Sequence, residues 1–266
     1  MALSLFSCSR EDVAMVENQG REIVLDVKAS STRADAEAVQ SVPSRLFIAM
    51  TSGEAGQNET SVLAPVSKDV DAGKIATGKF QTSNPVPYNY YASNVGMTFS
   101  ERGCTVAATN DTDVIVGITP ASSSLSPSIH LGHVFARVSG FEVSAPAGFS
   151  VSGASARLRE IDGTSVTGMA GTYNIATGSW VSSTSRLSTA RAIEPDQYYI
   201  PGTYEISYSF TLSKDDWSQS YTKTGKVTLG QGKVNRIVAY FNSEIPEPVN
   251  IGVSLTDWAD DVATVF

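Results

Sequence analysis

An all-β chain of two tandem antiparallel β-sandwiches is the fold this sequence predicts, and three observations carry it. Over 204–212, Tyr204, Ile206, Tyr208, Phe210 and Leu212 fall on one face while Glu205, Ser207, Ser209 and Thr211 take the other, the period of two that marks a half-buried strand. Other short runs of strand-forming residues recur along the chain, parted by clusters of Gly, Ser, Asn, Asp and Pro that favour turns. Apolar residues at the three-and-four spacing of a helix are scarce, and Ser, Thr, Gly and Val, poor helix formers, are abundant. With 266 residues, 41% of them hydrophobic, the chain fills two cores of ordinary size, since domains run to ~100–150 residues.

The first element is a strand over 23–28, with Ile23, Leu25 and Val27 toward the core and Val24, Asp26 and Lys28 outward. Residues 29–37, Ala-Ser-Ser-Thr-Arg-Ala-Asp-Ala-Glu, are small and polar and read as an exposed loop open to proteolysis. A strand over 45–50 follows, then a short helical turn at 66–73. Gly103-Cys104-Thr105-Val106 reads as strand, with Cys104 a small buried hydrophobe, and 114–118 as another. The Ser- and Pro-rich stretch 119–128 predicts a seam, dividing a first domain, 21–124, from a second, 125–266. In the second, strands are expected at 133–143, 154–161, 178–181 and 204–212. Val227 and Leu229 then lead through Gly230-Gln231-Gly232-Lys233 into the alternating run 234–241, which reads as a hairpin. The last strand is expected at 251–258.

Composition narrows the function. The net charge is -8 and no basic run appears, which excludes nucleic acid as a partner. Past residue 8 no apolar stretch approaches the ~18–20 residues that span a bilayer. Two cysteines in a chain this long do not make a disulfide scaffold. His130 and His133 are the only histidines; three apart on a strand they point to opposite faces, so they read as a strand-end pair with one ring packed and hydrogen-bonded rather than as metal ligands. Asp69 with Asp71 and Asp111 with Asp113 lack the glycine turn and distal Glu of a calcium loop, and no Gly-rich loop opens a helix to cradle a nucleotide. The sequence therefore predicts no enzyme, no catalytic residue, no cofactor and no metal site. Trp180, Trp217 and Trp258 with the Tyr198-Tyr199 pair offer a sugar-stacking platform, against which stands the usual place of sandwich aromatics in the core. The exposed candidates for a glycan contact are the Tyr198-Tyr199 pair and the polar run 215–221, which carries Trp217 and Tyr221.

The N-terminus carries a family resemblance. Leu5-Phe6-Ser7-Cys8 resembles a bacterial lipobox, and Ser9-Arg10-Glu11-Asp12 resembles the acidic tag of surface-exported lipoproteins in Bacteroidetes-type bacteria. One strand and a Thr32-Arg33-Ala34 loop follow, then His133-Val134-Phe135-Ala136-Arg137-Val138, Tyr199-Ile200-Pro201 and Val253-Ser254-Leu255-Thr256-Asp257-Trp258. In that order these motifs resemble the fimbrillins, the type V pilus subunits and their fimbrillin-like relatives. The resemblance implies transthyretin-like sandwiches behind a signal remnant and lipoprotein tail at 1–20, with lipidation at Cys8. It further implies processing between Arg33 and Ala34, displacement of the strand carrying Ile23, Leu25 and Val27, and its replacement by a neighbour's C-terminal run. Donor candidates are Ile251, Val253 and Leu255, or Val262, Val265 and Phe266. The implied partners are other pilin subunits, the outer membrane through the lipid before processing, and host or bacterial surface ligands. Two alternatives stay open: a non-polymerising surface lipoprotein that binds glycans, and a tip or anchor accessory subunit.

Overall fold

The computed structural model describes residues 21–29, 42–80, 87–161, 166–241 and 249–257. Cys8, Arg33, Ala34, Trp258, Val262, Val265 and Phe266 lie outside them. The strands of the first half are β1 (Arg21–Ala29), β2 (Arg45–Glu54), β3 (Gln57–Asp69), β4 (Lys74–Phe80), β5 (Tyr88–Ser93), β6 (Met97–Ser100), β7 (Gly103–Ala108), β8 (Ile115–Ser122) and β9 (Ser128–His133). Those of the second are β10 (Ala136–Ser144), β11 (Ser150–Glu160), β12 (Gly171–Asn174), β13 (Ser179–Ser183), β14 (Arg191–Ala192), β15 (Gln197–Tyr199), β16 (Gly202–Lys214), β17 (Trp217–Leu229), β18 (Lys233–Phe241) and β19 (Val249–Asp257). The protein is all-β, and the described residues contain no helix. The helical turn expected at 66–73 is corrected: β3 runs on to Asp69, and a turn with Ala72 and Gly73 at positive φ (49° and 75°) leads into β4. Val66 and Val70, four apart, mimic helical spacing because an even separation also returns a strand to the same face, and both pack on one core.

A seven-stranded sheet, in the order β3-β2-β5-β8-β9-β1-β4, dominates the first half. It curls on itself, so that Leu46, Ile48 and Met50 of β2 meet Leu25 of β1 and Ile75 of β4 in one buried core. Its other face, with Ala49, Tyr91 and Val116, packs against a four-stranded sheet, β13-β12-β7-β6. Strands buried on both faces lose the alternation of a half-exposed sheet, and β2 accordingly buries Ile48, Ala49, Met50 and Thr51 in succession. Two more four-stranded sheets, β15-β10-β18-β19 and β14-β11-β16-β17, enclose a third core. There Tyr204, Ile206, Tyr208, Phe210 and Leu212 all point inward, each at most 4% exposed.

Strand pairing crosses the boundary expected at 124/125. β9 pairs with β8 and with β1, and β12, from deep in the second half, pairs with β7 through Gly171–Ala108 to Asn174–Thr105. The Ser/Pro-rich stretch runs alongside β1: the carbonyls of Leu125 and Pro127 accept hydrogen bonds from the amides of Val24 (3.0 Å) and Asp26 (2.9 Å). The expected strand over 133–143 divides at Val134 and Phe135, both fully buried, which carry the chain from β9 to β10. The expected hairpin at 230–233 is also corrected: β17 pairs with β16 and β18 with β10 and β19, so the glycine turn passes from one sheet to the facing one. Asn235, wholly buried, holds that turn by accepting from the Gly230 amide at 2.8 Å and donating to the Lys233 carbonyl at 2.9 Å.

Burial has a consequence for alkaline stability. It pushes the Cys104 thiol and the Tyr90 and Tyr199 phenols up to about 12, from ordinary values of 9.0 and 10.0. In rising pH the unfolded chain gives up these protons first, so stability is full below the ordinary values and is lost as the pH climbs through them toward 12. Urea midpoints should therefore hold from neutral pH to about pH 8.5 and fall steeply by about pH 11, while native Cys104 should stay unreactive to thiol reagents.

Candidate functional site

Strand β1 sits inside the large sheet, antiparallel to β4 on one side and parallel to β9 on the other. Its backbone is engaged on both sides: Val24 and Asp26 donate toward the β9 side, and the Val27 amide donates to the Gly73 carbonyl at 2.7 Å. Thr77 donates its hydroxyl to the Ile23 carbonyl at 2.8 Å in the buried interior. Ile23, Leu25 and Val27 are 1%, 0% and 3% exposed, whereas Lys28 is exposed and pairs with Asp26 at 3.2 Å on the outer face. Burying each of the three apolar side chains stabilises the fold by about 1.5–3 kcal/mol. Strand β4 has no sheet neighbour other than β1 among the described residues. Loss of β1 would therefore open an apolar slot and leave two rows of backbone groups, those of β4 and β9, without partners.

The other candidate residues are dispersed. Ile251, Val253 and Leu255 lie on β19, an edge strand that pairs with β18 over its whole length, from Lys233–Asp257 to Phe241–Val249. Ile251 and Val253 pack on the core of the second half, and Leu255 is 49% exposed. Trp217, at the β16–β17 turn and 39% exposed, leans edge-on against Phe149 with centroids 5.6 Å apart. Tyr221 is corrected: it is buried, stacked on Phe210 at 5.1 Å and edge-on to Phe241, and has no face for a glycan. His130 is exposed, whereas His133 is packed with its Nδ1 2.8 Å from the Asp113 carboxylate. Asp69 pairs with Arg45 at 3.0 Å, and the Thr109 hydroxyl holds the exposed Asp111 carboxyl below its usual range. No group of three or more His, Cys, Asp and Glu among the described residues is placed to hold a metal ion.

A buried carboxyl escaped the sequence reading. Glu59, 2% exposed, accepts from the Thr51 hydroxyl, from the Tyr91 hydroxyl at 2.5 Å and from the Gly56 amide at 2.6 Å, with the Asn89 amide at 3.4 Å. Its own amide donates to the Glu101 carbonyl at 2.9 Å, which ties the β2–β3 hairpin to the turn between β6 and β7. Gly103 is required at that turn, with φ at 90° and a Cβ that would come 2.8 Å from the Glu59 carboxyl. The sequence gives no local sign of this burial because Tyr91 and Asn89 reach Glu59 from β5, 32 and 30 residues away. Tyr91→Phe removes one donor from a buried acceptor and should cost about 1–3 kcal/mol, read as a lowered urea midpoint with an unchanged slope.

No family model and no curated protein sequence matches the chain. Solved structures do. A fimbrial protein from Bacteroides vulgatus superposes with a TM-score of 0.53 at 11% identity, covering 90% of this chain and 99% of that one. A candidate cell adhesion protein from Parabacteroides distasonis gives 0.51 at 14% identity, over 93% and 100% of the two chains. Another from Bacteroides eggerthii gives 0.50 at 12% identity, over 90% and 96%. The chain has the fold of these adhesion and fimbrial proteins. Within this fold β1 is held between the hydrogen-bonding edges of β4 and β9 and over apolar side chains of the core.

Proposed function

We propose that this protein is an exported, cell-surface subunit of a bacterial fimbria, assembled by strand exchange. The observation that carries the reading is the seating of β1: a nine-residue strand held between β9 and the edge strand β4, with Ile23, Leu25 and Val27 fully buried. The fold shared with fimbrial and adhesion proteins supports it. In this reading Cys8 carries a lipid that tethers the precursor to the outer membrane, and a cut between Arg33 and Ala34 frees β1. A neighbouring subunit then fills the slot with its C-terminal run. Because Ile251 to Leu255 are committed to β19, the donor is the run carrying Val262, Val265 and Phe266. Assembly needs neither cofactor nor catalysis, since the incoming strand restores backbone pairing and apolar burial.

Digesting the purified precursor with an arginine-specific protease tests the reading. The expected products are a fragment ending at Arg33 and a folded remainder that forms ladders on non-denaturing gels. A first cut inside the sheets, or a processed chain that stays monomeric with its slot empty, would overturn it.

A further inference from the structure

Strand exchange makes no use of a cleft of about 270 Å3 on the opposite face of the large sheet, between β8, β9 and the overlying β12. Val116, Ile118 and Ile175 give it apolar walls. Facing them is the Tyr173 hydroxyl, which accepts from the Gln231 amide at 3.1 Å. His130 and His133 also line the cleft, the His133 carbonyl 3.5 Å from the same Gln231 amide, while the His133 ring is turned to Asp113. Among the described residues no Lys, Arg, Asp or Glu lines the cleft.

Two glycines in its lining differ in their reasons for being there. Gly117 is forced by packing, because a Cβ would come 2.5 Å from the His130 carbonyl oxygen. Gly132 is forced by nothing: its φ lies outside the left-handed region and no atom stands within 4 Å of where its Cβ would be. Its missing side chain keeps the cleft open, directly beside Val116, its partner in the β8–β9 ladder.

We propose that this cleft binds one neutral sugar residue of a surface glycan. Its volume falls just below the usual range for ligand sites, about 300 Å3 and upward, which limits it to a single ring. Apolar walls pack the C–H face of a pyranose, while a phenol, a primary amide and a backbone carbonyl supply donors and acceptors for hydroxyls. With no Lys, Arg, Asp or Glu among the described lining residues, a phosphate or a carboxylate would find no fixed counter-charge there. Tyr173 and Gln231 reach the cleft from elements far apart in the chain, so the site exists only when both halves are folded together.

The test is titration of the isotope-labelled full chain with the common neutral hexoses and N-acetylhexosamines, followed by amide NMR shifts, with inorganic phosphate as the charged comparison. The expected result is saturable shifts at residues 116–118, 130–133, 173–178 and 231 with at least one sugar, at a dissociation constant on the order of 1 mM. Gly132→Leu should abolish them by filling the cleft, Tyr173→Phe should weaken binding several-fold without disturbing the ring's packing, and Trp217→Ala should change nothing. Absence of saturable shifts with every sugar, stronger binding of phosphate, shifts centred on Trp217, or binding indifferent to both cleft variants would each overturn the proposal. All of these outcomes leave strand exchange untouched, because none involves β1.

Discussion

Leu25→Ala should destabilise the protein by about 2–5 kcal/mol, the usual cost of deleting a fully buried leucine side chain and leaving part of its cavity. Leu25 has no exposed surface and stands between Ile75 and the β2 residues Leu46, Ile48 and Met50 in one core, where sheet walls on both sides limit collapse. Val24→Ala, one residue away on the outer face, should stay within about 0.5 kcal/mol, as surface substitutions do. Urea denaturation of the two variants beside the parent measures both. The pair also reports on function: once residues 1–33 have been cut away and replaced, the two variants should be equally stable, because neither side chain remains in the fold.

The second large effect is a failure to fold. A fragment ending at residue 124 keeps β1 to β8 but loses β9, the partner of β1 in the sheet, and β12, the partner of β7. It also loses Phe135, Tyr173, Ile175 and Ile200 from the core between the two sheets of the first half. Such a fragment should show no cooperative thermal transition and should bind a hydrophobic dye, whereas the intact chain should melt in one transition spanning both halves. A fragment 21–124 that unfolds cooperatively would mean that the shared core is dispensable.

Local pattern made some of this legible in the sequence. The alternation at 23–28 and at 204–212 orients those side chains as the structure does, because one covered face leaves a period of two that a one-residue slip would destroy. Pairing partners are a different matter. Two alternating runs around Gly230-Gln231-Gly232-Lys233 look alike whether the second run folds back beside the first or crosses to the facing sheet, since the period encodes the face and not the neighbour. Likewise Ser122 to Ser128 has the composition of a linker, but composition does not reveal that its carbonyls serve the amides of β1. The Glu59 cluster and the cleft at Gly132 were invisible for the same reason: each assembles residues remote in sequence, and a lone Glu or Gly carries no local mark of what it will face.

Fastening β1 in place tests strand exchange most directly. Val24 and Ala76 are cross-strand partners on β1 and β4, off the core face, and antiparallel partners lie ~4.5–5.5 Å apart at Cα, within disulfide reach. A chain carrying Val24→Cys and Ala76→Cys, with Cys8→Ser to remove a competing thiol, should be cut after Arg33 yet keep its N-terminal fragment and form no ladder while oxidised. Reduction should release the fragment and restore laddering to the level of the unlocked chain. If the oxidised, cut protein polymerises as readily as the reduced one, β1 need not leave for subunits to join, and the strand-exchange account is wrong.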